Sequence, residues 1–380
     1  MEYIHLAGTN AKGSTAQYLA DILSIHHRCG LFTSPHIFSP RERFRINGQT
    51  ISAQDYEAYL KLARRDAGEH FFGVWTRMAL AWFADNNVEY AVVETGLGGR
   101  KDQTNVIDSR LQIITPISFD HTEHLGNTLQ KIAREKCGII TWGGTVVSHP
   151  QPKEAMDVVK KTCERLNAHL ILLDEKSIRV HSADTGGQVF DFRYRDMHLT
   201  RAAIRSISPA QVQNACVAAI AAHELGIPAE DILSGLGQSY IPARAQYADN
   251  VLIDAAHNEA SFRELAATVN RHFSQKNRTV LLAMMADKDV RACADEVRSF
   301  ANTVVCTCAD KKRGLPAKEL AQYFDNAQAV EDPAHAFSYA RKIAEQKKGL
   351  LVVCGSFYLA PHAMRASRLS VDPPEEEDTK

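Results

Sequence analysis

Residues 7–15 read Ala-Gly-Thr-Asn-Ala-Lys-Gly-Ser-Thr, after the short apolar run Tyr3-Ile4-His5-Leu6 and before a helical stretch at 16–25. The order is strand, small-residue turn, Lys, hydroxyls, helix. Such a turn can face its backbone N–H groups to an anion. The helix N-terminus adds partial positive charge, and Lys12 can reach terminal phosphates. Asn10, Ala11, Lys12, Gly13 and Ser14 are therefore candidate nucleotide contacts, and ATP is the expected cofactor. The strict phosphate-loop spacing has Gly directly before the Lys, where this chain has Ala11. A Gly/Ser/Thr-rich strand–helix turn is also a common structural connection.

Other charged residues close apolar runs. Glu94 ends Ala91-Val92-Val93 and precedes Thr95-Gly96-Leu97-Gly98-Gly99-Arg100. A carboxylate at the carboxyl edge of a parallel strand faces the ligand crevice and can hold Mg²⁺; it can also simply cap a turn. Asp120-His121 follows Ile113-Ile114-Thr115-Pro116-Ile117. His121 could bind metal, transfer a proton, or be structural. Lys136, in Arg134-Glu135-Lys136-Cys137-Gly138, reads as a basic residue complementing a helix dipole, with Gly138 as the C′ residue. Further along, Asp254-Ala255-Ala256-His257-Asn258 ends another apolar run ten residues after Arg244. Asp for a ribose, with Arg and His for phosphates, would make a second half of a nucleotide site.

The elements positioning these groups alternate. Strands are expected at 3–6, 89–93, 111–114, 145–147 and 169–172, with helices at 16–25, 53–65, 73–86, 128–136 and 153–167. That is the pattern of a mostly parallel sheet buried on both faces. Residues 177–200 read as a hairpin-like insert, and a helix is expected at 210–225. The boundaries implied are an ATP-binding domain over 1–237, a hinge over 238–248, and a smaller α/β domain over 249–369. The acidic tail 370–380 is expected to be disordered.

With 380 residues the chain has room for two domains. A formal net charge of −1 gives no electrostatic case for nucleic acid or an anionic membrane as partner. The cysteines are scattered, with no C-x-x-C pair, which fits a reducing cytoplasm. The first residues lack the basic-then-apolar order of a secretion signal, and no apolar run approaches the roughly 18 residues of a membrane span.

Taken together the motifs resemble the folylpolyglutamate synthase/dihydrofolate synthase family of the Mur ligases. The resemblance rests on 7–15, Gly-Leu-Phe-Thr-Ser-Pro-His at 30–36, Arg-Glu-Arg-Phe-Arg-Ile-Asn-Gly at 41–48, 94–105, 119–129 and 132–139. It continues through Gln-Asn-Ala at 213–215, Pro-Ala-Arg at 242–244, 254–258, Met-Met-Ala-Asp-Lys-Asp at 284–289 and Gly-Ser-Phe-Tyr-Leu at 355–359. It implies a P-loop-type parallel-sheet domain with helices on both faces, followed by a smaller Rossmann-like α/β domain. It also implies ATP-dependent amide-bond formation, in which a carboxylate becomes an acyl phosphate and the amine of glutamate attacks it. By this resemblance Lys12, Lys136 and His121 are the catalytic set, and Ser34, Glu94 and His121 hold Mg²⁺. Lys136 is carbamylated and binds a second Mg²⁺, while Asn214, Arg244, Asp254 and His257 meet ATP across a domain cleft. The implied partners are ATP, glutamate and a folate or dihydropteroate, and a monomer is expected.

The chain departs from the family at several turns. Ala11 stands where the family has Gly, Pro-Ala-Arg replaces Pro-Gly-Arg, and Ala255 and Glu259 replace Gly and Pro. If the Ala11 position requires positive φ, the side chain costs about 1 kcal/mol or more. Family members also carry some tens of residues before the phosphate loop, where part of the pterin surface lies. Two further readings follow: a Mur-type ligase acting on another acid, and a catalytically weakened nucleotide-binding paralogue.

Overall fold

The computed structural model describes residues 1–65, 71–274 and 277–367; the acidic segment 370–380 lies outside the described residues. The chain divides into two compact units. The first comprises 1–182, 188–205 and 211–240, and the second 183–187, 206–210 and the chain from Ile241.

The first unit runs β1 (Glu2–Ala7), α1 (Lys12–Leu23), β2 (Cys29–Phe32), β3 (Phe44–Ile46), β4 (Gln49–Thr50), α2 (Ala53–Arg65) and α3 (Phe71–Asp85). It continues through β5 (Tyr90–Glu94), β6 (Ser109–Ile114), α4 (Thr122–Leu125), α5 (Leu129–Lys136), β7 (Thr145–Ser148), α6 (Lys153–Arg165) and β8 (His169–Leu172). The sheet order is β4-β3-β2-β5-β1-β6-β7-β8. Strands β2, β5, β1, β6, β7 and β8 are parallel, and β3 and β4 form an antiparallel edge. On one face Ala91 and Val93 pack with Trp75, Met78 and Phe83 of α3. On that same face Ala7, Ile114 and Val146 pack with Ile132 of α5 and Val159 of α6. The alternate residues Ile4, Leu6, Val92 and Ile113 point the other way and are also fully buried, so both faces are covered.

β1 lies between β5 and β6, yet the chain reaches β2 first and crosses back only later. This reversal opens a crevice at the carboxyl ends of these strands. Their ends are level: Leu6 is opposite Glu94 on one side and Ile113 on the other. The insert is a three-stranded antiparallel sheet of β9 (Ile178–Asp184), β10 (Gly187–Tyr194) and β11 (Met197–Ile204). After it come α7 (Pro209–Glu224) and α8 (Ala229–Gln238). From Gln211 to Ala222, α7 is buried almost all round, which its alanine-rich sequence permits without crowding.

In the second unit the strands are β12 (Gln246–Ala248), β13 (Val251–Ile253), β14 (Arg278–Leu282), β15 (Thr303–Cys306), β16 (Gln328–Ala329) and β17 (Leu350–Cys354). The helices are α9 (Glu259–His272), α10 (Val290–Arg298), α11 (Ala317–Ala321), α12 (Pro333–Gln346) and α13 (Ala360–Ala366). The order β12-β13-β17-β14-β15-β16 is parallel except at β12. Its core joins Leu252, Val280 and Val352 to Phe262 of α9 and Val297 of α10.

Candidate active site

The candidate phosphate loop leaves β1 at Ala7 and presses against the end of β6. A Cβ on Gly8 would sit 1.8 Å from Thr115 Oγ1, so only glycine allows this approach. Thr9 N and Asn10 N donate to Pro116 O at 2.9 and 3.3 Å. Thr115 Oγ1 donates to Asn10 O at 2.7 Å, and Thr9 Oγ1 to Ser118 O at 3.0 Å. Ala11 then turns the chain with φ 66° and ψ −6°, and α1 begins at Lys12, four residues before the expected start. Ala11 caps α1 without a side-chain bond, and no acid lies in the first turn. The open N–H groups of that turn, including those of Gly13 and Ser14, suit an anion.

Three side chains come together behind this loop. Lys12 Nζ lies 3.8 Å from Glu94 Oε1 and donates to Thr9 O at 3.2 Å. Glu94 is 3% exposed, and its Oε2 accepts from Ser34 N at 2.9 Å. Lys136 is buried, and its Nζ donates to Gly8 O at 2.6 Å. Burial first, then the charge of Lys12, pushes the Lys136 ammonium well below the ordinary lysine range; Asp120 and Asp102 oppose this in part.

Two expectations are corrected here. Lys136 does not serve the end of α5 toward water; it turns inward onto the loop. Gly138 does follow the C-cap Cys137, but it is not left-handed: it lies in a 3-10 turn over Cys137–Ile139 and is absent from the positive-φ glycines. Gly138 is required instead by contact, since a Cβ there would lie 2.2 Å from Arg100 Cβ.

His121 has φ 49° and ψ 40° and precedes α4. Its backbone N donates to Asp120 Oδ1 at 2.9 Å, and its ring Nε2 is 3.8 Å from Asp120 Oδ2. The loop after β1 holds this segment, since Ser118 N donates to Thr9 Oγ1 at 3.1 Å. Asn214 is buried on α7. Its Nδ2 donates to Gln211 Oε1 at 3.2 Å, and Gln211 Nε2 donates to Ser14 Oγ at 3.2 Å.

Sequence reasoning gave Gln211 no role, although it shares a helical face with Asn214 three residues on. It also missed Asp102, which organises the loop after Glu94. Asp102 accepts from Leu97 N at 2.8 Å, Thr104 N at 3.0 Å and Thr104 Oγ1 at 2.5 Å.

In the second unit, Asp254 at the end of β13 accepts from Ala245 N at 2.7 Å and Ala256 N at 2.8 Å. Burial raises its carboxyl pKa, and Arg244 together with these two amides works against that rise. The Arg244 guanidinium lies 4.8 Å from the Phe357 ring centre, and the His257 ring 5.7 Å from it. His257 Nδ1 is 2.9 Å from Ala255 O, which makes Nδ1 the protonated nitrogen and turns Nε2 to other partners. Arg244 and His257 thus meet around Phe357, a residue that the sequence marks only as part of a motif, while Asp254 lies within electrostatic reach of Arg244. Ala243, the Gly-to-Ala change in Pro-Ala-Arg, also has positive φ, at 54°.

Residues 6–222 match the Mur ligase middle domain, and residues 242–357 match the Mur ligase, glutamate ligase domain. The dihydrofolate synthase/folylpolyglutamate synthase of Bacillus subtilis is 31% identical, over 93% of this chain and 87% of its own length. The chain belongs to this family of Mur ligases. Its fold is likewise that of the family's solved structures. Mycobacterium tuberculosis folylpolyglutamate synthase complexed with ADP aligns with a TM-score of 0.90 at 30% identity, covering 98% of this chain and 91% of that one. A bifunctional folylpolyglutamate synthase/dihydrofolate synthase with Mn, AMPPNP and L-glutamate bound aligns at 0.84 and 28%, covering 96% and 89%. As a Mur ligase of this family, the chain is an ATP-dependent, amide-forming enzyme. No helix among the described residues is long and apolar enough to cross a membrane.

Proposed function

We propose that this ligase joins L-glutamate to the carboxylate of a dihydropteroate or folate through an acyl phosphate, releasing ADP and phosphate. An oxygen of the acceptor carboxylate attacks the γ-phosphorus, and the bond to the β-phosphate oxygen breaks. The neutral amine of glutamate then attacks the acyl carbon, phosphate leaves, and the amine proton passes to solvent. Both steps are limited by charge crowding and positioning more than by the need for a nucleophilic side chain. The observation that carries this reading is the convergence of Lys12, Glu94 and Lys136 at the adjacent ends of β1 and β5, beside an open helix N-terminus.

Lys12 would balance the negative charge gathering on the transferred phosphoryl group. By the family resemblance, Glu94, Ser34 and His121 would hold a divalent cation; the Glu94 carboxylate and the Ser34 hydroxyl are oxygen donors of the kind a hard cation prefers. The chemistry such an ion would supply there is charge neutralisation of the phosphates. Carbamylation of Lys136 would supply carboxylate oxygens for a second such ion. The neutral ε-amine attacks CO₂, a C–N bond forms, and one amine proton is released. Burial favours the neutral amine that this step needs. Arg244, Asp254 and His257 are the nucleotide contacts we assign to the second unit. The eight free, buried cysteines suit the reducing cytoplasm in which we place the protein.

The test is an assay of ADP formation with ATP, Mg²⁺, glutamate, and dihydropteroate or tetrahydrofolate in turn. Release that requires both glutamate and one of these acceptors is expected. Turnover only with an unrelated acid would favour a different Mur-type substrate. Nucleotide binding without turnover, to which the left-handed Ala11 gives weight, would favour a weakened paralogue.

A further inference from the structure

His149 follows β7 in the interior of the first unit, far from water. Its ring Nε2 lies 3.0 Å from Asn214 Oδ1, and its Nδ1 is buried with no hydrogen-bond partner. Burial pushes its imidazolium down to about 4, so the ring is neutral at working pH. From His149 three hydrogen bonds run in series to Asn214, to Gln211 and to Ser14, the third residue of α1.

The series has a direction. With Asn214 Oδ1 as acceptor, His149 Nε2 must carry the proton. Asn214 Nδ2 then donates to Gln211 Oε1, and Gln211 Nε2 donates to Ser14 Oγ. The opposite direction needs both amides flipped and the proton on His149 Nδ1. That would bury an N–H without a formed hydrogen bond, because the nearby Ile114 carbonyl already accepts from His149 N at 3.1 Å and Gln151 Nε2 at 3.4 Å; this is worse than burying an unused lone pair. One histidine tautomer therefore fixes two amide orientations. At the far end Ser14 Oγ already accepts an N–H, so its own proton is left to donate. A hydroxyl obliged to donate, on the open turn of α1, suits an anionic oxygen.

We propose that His149 is a positioning residue for nucleotide binding: through Asn214 and Gln211 it sets the Ser14 hydroxyl as a donor to a phosphate oxygen. The proposal rests on the reading of residues 8–15 as the phosphate loop. No part of His149 need touch nucleotide.

The test combines MgATP affinity, steady-state constants and a double-mutant cycle in the full chain. His149→Phe should weaken MgATP binding and raise its KM about tenfold, the scale of one hydrogen bond to a charged group. The glutamate KM and kcat should stay near wild type, a split that general loosening of the core would not give. His149→Gln, which can still donate to Asn214, should recover most of the affinity. In a Ser14→Ala background the same His149→Phe change should add less than twofold. Gln211→Leu breaks the series at its middle and should reproduce the His149→Phe effect, which keeps the test sound if His149→Phe does not fold. Wild-type affinity in folded His149→Phe or Gln211→Leu, or an undiminished His149→Phe effect without Ser14, would overturn the proposal. Failure of the wild-type protein to bind MgATP would instead overturn the phosphate-loop reading beneath it.

Discussion

Ala11→Gly isolates the strain in the phosphate loop. Ala11 has φ 66° and ψ −6°, where its Cβ crowds the backbone by about 1–2 kcal/mol. Glycine removes that strain but adds freedom to the unfolded chain, worth about 0.4–1 kcal/mol against folding. The balance is a gain of roughly 0.5–1 kcal/mol, or about 1–4 °C in Tm for a unit of this size. Ala255 provides the control. It stands at the same kind of family departure, yet it is absent from the positive-φ residues and is fully buried. Ala255→Gly loses a buried methyl and also frees the unfolded chain, so it should destabilise by about 1–2 kcal/mol. Ala243→Gly, at φ 54°, should behave like Ala11→Gly. Urea unfolding of the three variants, with unchanged m-values, measures the signs directly. MgATP affinity of Ala11→Gly should tighten by at most about fivefold, the equivalent of 1 kcal/mol. Ala11→Gly destabilising the chain as much as Ala255→Gly would refute the backbone reasoning.

The remaining tests address charge and contact. Lys12→Ala should abolish ATP turnover and, because Lys12 is largely buried beside Glu94 rather than solvated, should also cost about 1–3 kcal/mol of stability. Full stability in that variant would show that the pair is unimportant to folding. Lys136→Ala should lose activity, partly restored by a short carboxylic acid, and ¹³C-bicarbonate should give a carbamate resonance only in the unsubstituted protein; its absence there would remove the second-metal role. In CO₂-free buffer the depressed Lys136 pKa means that the unfolded chain binds more protons at pH values between the folded pKa and about 10.4. Stability should therefore rise with pH across that window and flatten above it, and Lys136→Met should lose this slope; an unchanged slope would assign it to other groups. Phe357→Ala removes the ring facing Arg244 and His257 and should weaken nucleotide affinity about threefold to fivefold, the scale of one cation–π contact, as titration calorimetry can measure.

The sequence by itself determined the parts that depend on neighbours in the chain. A short apolar run, a small-residue turn and Lys12 specify strand, loop and helix locally, and Glu94 is visibly the last residue of an apolar run. The alternation of such runs with helices is enough to imply a parallel sheet with its ligand groups at one edge. β2 through β4 were not legible, because Cys29–Phe32 offers four residues with no period to read, and Gly30 weakens them further. The sequence places the start of α1 too late because Gly13 and Ser14 look like turn formers when the helix around them is not seen. Only tertiary structure decided which way the long side chains go. Lys136 looks like a surface residue at a helix end until β1 brings Gly8 O, 128 positions away in sequence, to within 2.6 Å of its amine. Burial then changes its chemistry, since losing water favours the neutral form whatever the local sequence says. The left-handed turn at Ala11 was likewise a conditional expectation that only backbone geometry could resolve. The path from His149 to Ser14 joins positions 135 residues apart through α7. Hydrogen-bond direction depends on which partners packing supplies, and no spacing in the chain records it.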